Sequence, residues 1–240
     1  MNLKYSTTSS VLALCALCLS ACQAPTVNEQ ARQTRWINPD VFDASKHTDG
    51  SSYSFEFDMT FTAVNGENVT VTNCLELALF GEDRVSAPEY TYWQSIKIDC
   101  EVVERFYLSS ENAVSFWPKS FDYELIKQFP ATAIPYLGGQ ALDGRTGTLS
   151  AYDTSLKFVE KKNDNQIHVE VDNMDVYYVQ VARADFNRDG IQDIFVRMDW
   201  YVKDAFGKGI DWVVLTKLSP DAAPHDALAK IEYRKWGGVI

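Results

Sequence analysis

Asp185-Phe186-Asn187-Arg188-Asp189-Gly190-Ile191-Gln192-Asp193 is the segment of this 240-residue chain whose residue types and spacing point most directly to chemistry. Oxygen-bearing side chains stand at its first, third, fifth and ninth positions, with a glycine sixth. Ca²⁺ takes about six to eight oxygens at ~2.3–2.6 Å, drawn from carboxylates, backbone carbonyls and water. Alternate side chains on a tightly wound loop converge on one point, and the glycine allows the sharp turn. The expected donors are Asp185, Asn187, Asp189 and Asp193, with the backbone carbonyl of Ile191. Three carboxylates brought this close repel one another without a cation, so an empty loop is expected to be disordered or partly protonated. The alternative is a hairpin turn rich in Asp and Asn that is held by its own side-chain hydrogen bonds.

The flanks decide which kind of loop this is. Val176, Tyr178, Gln180 and Ala182 alternate before it; Ile194, Val196, Met198 and Trp200 alternate after it. A period of two means strands, whereas an EF-hand loop lies between helices and ends in a glutamate at its twelfth position. Here the twelfth position is Val196. The stretch Val181-Ala182-Arg183-Ala184-Asp185 through Val196 resembles the calcium loop of FG-GAP or VCBS-type (integrin-like) repeats. That resemblance covers about 25 of the 240 residues. It implies a structural Ca²⁺ bound between two strands. The family's propeller needs several copies, and one is present here.

The N-terminus sets an address. Lys4, the apolar run from Val11 to Leu19 and a small-residue end make a secretory signal. The run has about half of the ~20 residues that a transmembrane helix needs. Leu19-Ser20-Ala21-Cys22 resembles the lipobox of bacterial lipoproteins. The resemblance implies cleavage after residue 21 and lipidation of Cys22 with a diacylglyceryl group and a further acyl chain, palmitate being typical. Two or three chains anchor durably. Gln23, in place of the Asp that retains members in the inner membrane, implies the outer membrane. The expected location is the bacterial cell envelope, on its periplasmic or surface face.

The five cysteines sort on the same basis. Cys15 and Cys18 leave with the signal, and Cys22 carries lipid. Cys74 and Cys100 form an even pair in an oxidising compartment, where a bridge persists. Closing that loop would stabilise by ~3.5 kcal/mol in the chain-entropy model. Two buried free thiols are the alternative. Beyond Cys22 the chain has 21 basic against 33 acidic side chains, a formal charge of −12. Such a surface suits solubility and cation binding and does not suit nucleic acid.

Stepping along the chain, alternation dominates. Tyr53, Phe55, Phe57, Met59 and Phe61 predict a strand, and Asn65-Gly66 a tight hairpin turn. Val69 and Val71 continue into Leu75, Leu77 and Leu79 as the partner strand, with a bulge near Asn73 or a bridge across the outer face to place Cys74. Ser95 to Val103 reads as a further strand, and Phe106 to Trp117 is ambiguous. Asp122 to Phe129, with Asp122 as N-cap and Pro130 as stop, is the one short helix. Pro135 to Gly147 reads as loop. Ser155–Glu160 and Gln166–Asp172 predict a second hairpin. Strands follow at Val176–Ala184, Ile194–Val202 and Asp211–Leu218, with another expected at Ile231–Trp236. The fold class is therefore mainly β, an antiparallel sandwich or barrel-like domain over residues 36–240, preceded by a tether at 22–35. A division into two sub-domains near 130–150 is compatible with the pattern.

Other residues carry less. His168, Glu170 and Asp172 form a row on a strand face that could bind metal or transfer protons; a solvated strand face is the plainer reading. His47 and His225 lie in polar loop sequence. Trp93, Trp200, Tyr201 and Trp212 could form an aromatic platform for sugars or peptides, or belong to the core. No Gly-x-Ser-x-Gly, His-Glu-x-x-His, phosphate-loop or Cys-x-x-Cys pattern follows Cys22. The expected function is a non-enzymatic, calcium-stabilised envelope lipoprotein that binds an envelope protein or glycan. The alternative is an envelope hydrolase acting on peptidoglycan, glycan or peptide.

Overall fold

The computed structural model describes residues 32–42, 56–135 and 145–227. The signal, Cys22 and the tether as far as residue 31, His47, Tyr53, Phe55, most of the 135–147 loop and the strand expected at Ile231–Trp236 lie outside these residues; residues 32–35, expected as the end of the tether, belong to the fold, Arg32–Thr34 as a strand and Arg35 in contact with a helix. Within them the fold is mainly β and antiparallel, as expected. Short strands β1 (Arg32–Thr34) and β2 (Trp36–Ile37) come first, followed by the hairpin β3 (Glu56–Thr62) and β4 (Asn68–Asn73). Helices α1 (Cys74–Phe80) and α2 (Tyr90–Leu108) follow, then β5 (Asn112–Val114), α3 (Tyr123–Lys127) and α4 (Leu149–Tyr152). The chain continues through β6 (Lys157–Asn163), β7 (Gln166–Val171), β8 (Met174–Ala184), β9 (Asp193–Val202), β10 (Lys208–Thr216) and β11 (His225–Asp226).

Strands β6 to β11 line up in chain order as one antiparallel meander, and β2 adds to the end of β8, making a seven-stranded sheet. It is open, with β6 and β11 at its edges, and does not close into a barrel. One face is apolar. Val169, Val176, Tyr178, Met198 and Trp200 alternate onto it and are buried. The segment after α3 covers this face: Phe129 meets Tyr178 edge-on at 5.9 Å, and the Tyr178 hydroxyl donates to the Ala133 carbonyl at 2.6 Å. Gly209 sits opposite Trp200 in the register, where a Cβ would stand 2.5 Å from the indole, so only glycine lets the tryptophan lie flat on β10.

Helix α2 crosses the other face. Its Asp99 reaches Arg197 on β9 at 3.4 Å, and its Arg105 lies over the Trp212 ring on β10 at 5.8 Å. The C-terminal carbonyls of α2 are met by Arg35, whose Nη1 donates to Phe106, Tyr107 and Ser109 at 3.2–3.3 Å, an arrangement that also suits the negative end of the helix dipole.

A second, smaller core lies under the hairpin β3–β4. Met59, Phe61, Val71, Leu77, Phe80 and Trp93 pack there, so α2 serves both cores, with Trp93 in the small one and Val102 in the large one.

Two strand expectations are corrected. Leu75, Leu77 and Leu79 are on helix α1. Asn73 starts it, its Oδ1 accepting from the Glu76 backbone N–H at 2.9 Å, while Glu76 Oε2 accepts from the Thr72 N–H at 2.8 Å. The pair resembles a capping box displaced by one residue, because Glu76 reaches the N–H before the cap instead of that of the cap itself, and it outweighs a five-residue alternation. On the helix, Cys74, Leu77 and Phe80 share the buried face, and Leu75 and Leu79 are exposed. The parity conflict at Cys74 disappears with the strand.

Ser95–Val103 is the middle of α2. Ile96, Ile98 and Cys100 alternate over too short a window; Gln94, Ile98, Val102 and Phe106 recur every four residues and form the buried stripe. Among the described residues there are accordingly four α-helices, one of them 19 residues long, where the sequence predicted a single short one. The short one is as expected, its N-cap Asp122 accepting from the Leu125 N–H at 3.0 Å. Cys74 and Cys100 are bridged, joining α1 to α2.

Candidate functional site

The acidic loop connects β8 to β9, with Ala184 and Asp193 as the last paired residues. Arg188 and Gly190 both have positive φ, 64° and 87°, which winds the loop tightly. Its anionic side chains accept from its own backbone. Asp185 takes the N–H groups of Asp189 at 3.0 Å and Gly190 at 2.9 Å. Asp189 takes that of Ile191 at 2.8 Å, and Asn187 Nδ2 donates to Asp189 at 3.0 Å. Asp193 Oδ2 takes Phe186 N–H at 2.9 Å. Helix α2 and β5 hold the outside: Arg188 donates to the Leu108 carbonyl at 3.2 Å, Gly190 accepts from Val114 N–H at 3.0 Å, and Trp117 Nε1 donates to the Gln192 carbonyl at 2.6 Å.

The donor set is all oxygen and so suits Ca²⁺. Asp193 is the most constrained donor. It is wholly buried, and its Oδ1 has no well-formed hydrogen bond; the Thr216 hydroxyl is near enough to pull its pKa down but is not aligned to donate. Burial pushes the Asp193 carboxyl up to about 7, with the charge of Asp189 adding to it. Among the described residues no three acidic, histidine or cysteine side chains are placed to hold a metal as they stand. Asp185, Asn187, Asp189 and Asp193 are brought to one loop, but each accepts from backbone amides of the loop, and Asp193 Oδ1 alone among their buried oxygens is left over.

A second constellation occupies the sheet face that α2 only partly covers. The register sets three rungs across it: Gln166, Val179 and Arg197; His168, Tyr177 and Asp199; Glu170, Asp175 and Tyr201. His168 is 8% exposed, stacks on Tyr177 at 4.2 Å, and lies 2.8 Å from Asp175 Oδ1 through Nε2. Tyr201, 49% exposed, meets Tyr177 edge-on at 6.1 Å. Glu170 is held by Lys203 at 2.7 Å and Lys157 at 3.8 Å. Asp172 is not in this row; it takes a positive φ of 49° in the β7–β8 turn. His225 is exposed on β11. Of the four aromatics singled out in the sequence, Trp93, Trp200 and Trp212 are core and Tyr201 is on the surface.

Where α2 meets this face, a cavity of about 280 Å³ opens between Asp40, Asp99, Asn163, Gln166 and Arg197, with Val41 and Val179 on its walls. Arg197 forks onto Asp199 at 2.8 and 3.1 Å and reaches Asp99 with its remaining nitrogen at 3.4 Å. Burial drives the Asp99 carboxyl up to about 7 against the pull of Arg197, and the charge of Asp199 adds to the rise. A buried acid with such a shift, in a cleft and with a specific charge partner, marks a functional candidate. The sequence does not disclose it, because the alternation of Ile96, Ile98 and Cys100 puts Asp99 on a strand, whereas it lies on α2. The available signals were a carboxylate beside the apolar stripe of an amphipathic helix and the Arg197-x-Asp199 pair on the polar face of β9. Compared with known proteins, the chain matches no family model, no curated protein and no solved structure.

Proposed function

We propose that the chain is a non-enzymatic, calcium-stabilised lipoprotein of the bacterial envelope that binds an envelope component on the half-covered face of its large sheet. The observation that carries this reading is the aromatic and polar ledge of His168, Tyr177 and Tyr201, flanked by Asp175 and Asp199 and left open beside α2. Aromatic rings with a polar rim are the composition of recognition surfaces. The membrane anchor on Cys22 and the Ca²⁺ held by Asp185, Asn187, Asp189, Ile191 and Asp193 belong to the same reading. The lipobox supports the first. The β8–β9 hairpin setting and the buried Asp193 oxygen support the second. In that reading the metal would neutralise three carboxylates and pin one hairpin; the ligand face is elsewhere on the sheet.

The second reading, an envelope hydrolase, is favoured by Asp99 alone, a carboxyl held near neutrality inside a polar cavity. The test uses residues 23–240 as bait in an envelope extract, with calcium and with EGTA. An envelope component retained by the wild type and lost with Tyr177→Ala and Tyr201→Ala is expected. Equal retention by the wild type and both variants would refute the assigned face.

A further inference from the structure

Resting on the binding reading just given, we infer that the cavity between α2 and the large sheet takes a neutral sugar ring, with the Tyr177–Tyr201 ledge carrying the rest of a glycan. The charges of the cavity argue against other ligands. An anion would meet an excess of negative charge. Arg197 is the one cation among the lining residues, each of its nitrogens already donates to Asp199 or Asp99, and Asp40 adds a further carboxylate at the rim. A cation would meet that same Arg197, fixed in the wall. A neutral polyol needs groups that both donate and accept at short spacing, since each hydroxyl does both. The walls supply both functions: the Gln166 and Asn163 amides donate and accept, Gln166 making no side-chain hydrogen bond to the described residues, and the carboxyls of Asp40 and Asp99 accept. Val41 and Val179 give the small apolar patch that a pyranose ring also presents. About 280 Å³ is at the low end for a small-molecule site, room for one ring and not for a drug-sized ligand.

The register extends the site. Gln166 and Arg197 are on the rung beside His168, Tyr177 and Asp199, which places the aromatic ledge next along the strands from the cavity residues. A sugar's apolar face can lie on Tyr201 while its neighbour fills the cavity.

The probe is a glycan array carrying neutral and acidic mono- to tetrasaccharides, read with labelled full-length protein. Hits are followed by calorimetric titration. Binding to neutral glycans, weakened at least tenfold in Gln166→Ala with an unchanged melting temperature, is the expected result. Asp99→Asn should weaken it too; Gln166→Ala removes only a partly exposed side chain and keeps the test valid if Asp99→Asn does not fold. Glu104→Gln, on α2 but away from the cavity, serves as the control that keeps full binding. A silent array, binding confined to acidic glycans, or neutral binding unaffected by Gln166→Ala would each overturn the assignment. A silent array alongside face-dependent capture of a protein from envelope extract removes the sugar and leaves the binding reading standing.

Discussion

Asp99 shows what one residue can disclose. Its carboxyl, pushed up to about 7 by burial, is far above the ordinary value near 4. The unfolded chain therefore gives up this proton first as pH rises. The stabilisation is complete below the ordinary carboxylate pKa and is lost as pH climbs through about 7. Melting temperatures taken from pH 5 to pH 8 should fall, and fall less steeply in Asp99→Asn. Part of the fall persists in that variant, because burial shifts Asp193 the same way. Identical pH slopes for the two proteins would show that Asp99 is not the group responsible. The acidic loop was legible residue by residue, since nine consecutive positions carry the pattern. The cavity was not, because Asp40, Asp99, Gln166 and Arg197 are scattered over the chain, and only the pairing of α2 with β9 brings them together.

At the scale of elements, strands β7, β8 and β9 were legible because apolar residues recur at every second position (Ile167, Val169, Val171; Met174, Val176, Tyr178; Ile194, Val196, Met198, Trp200), and β10 because residues 212–215 are a short continuous apolar run buried on both faces. Helices α1 and α2 were hidden by short stretches in which leucine or isoleucine falls on every second position. The deciding signals were local hydrogen bonds and a longer period. The Asn73 N-cap makes that claim testable. Asn73→Ala removes the acceptor for the Glu76 N–H and should cost ~1 kcal/mol of stability, read from urea unfolding. A loss below ~0.3 kcal/mol would mean that packing of Leu77 and Phe80, and not the cap, decides helix over strand. Asn73 is outside both candidate sites, so ligand binding should survive the change.

For the whole molecule, the acidic loop ties β8 and β9 at the centre of the large sheet to α2 and β5, so any ion held there should act on global stability. At calcium about a hundredfold above its dissociation constant, linkage gives ~2.7 kcal/mol, equivalent to a rise of about 5–10 °C in melting temperature. EGTA should reverse it, and Asp189→Ala should abolish it. A midpoint indifferent to calcium in both proteins would end the calcium reading and leave the loop held by its own hydrogen bonds. The shared helix has a different consequence, one of timing. The small core is drawn from residues 59–93, contiguous in sequence, whereas the large core draws on residues as far apart as Phe42 and Leu215. Contacts close in sequence form sooner. A chain emerging N-terminus first thus completes the small core, and brings Cys74 beside Cys100, before the large sheet exists. The small core and the first half of α2 then act as a template on which the later strands assemble. Pulse-labelled hydrogen exchange should find α1 and the start of α2 protected before β9 and β10.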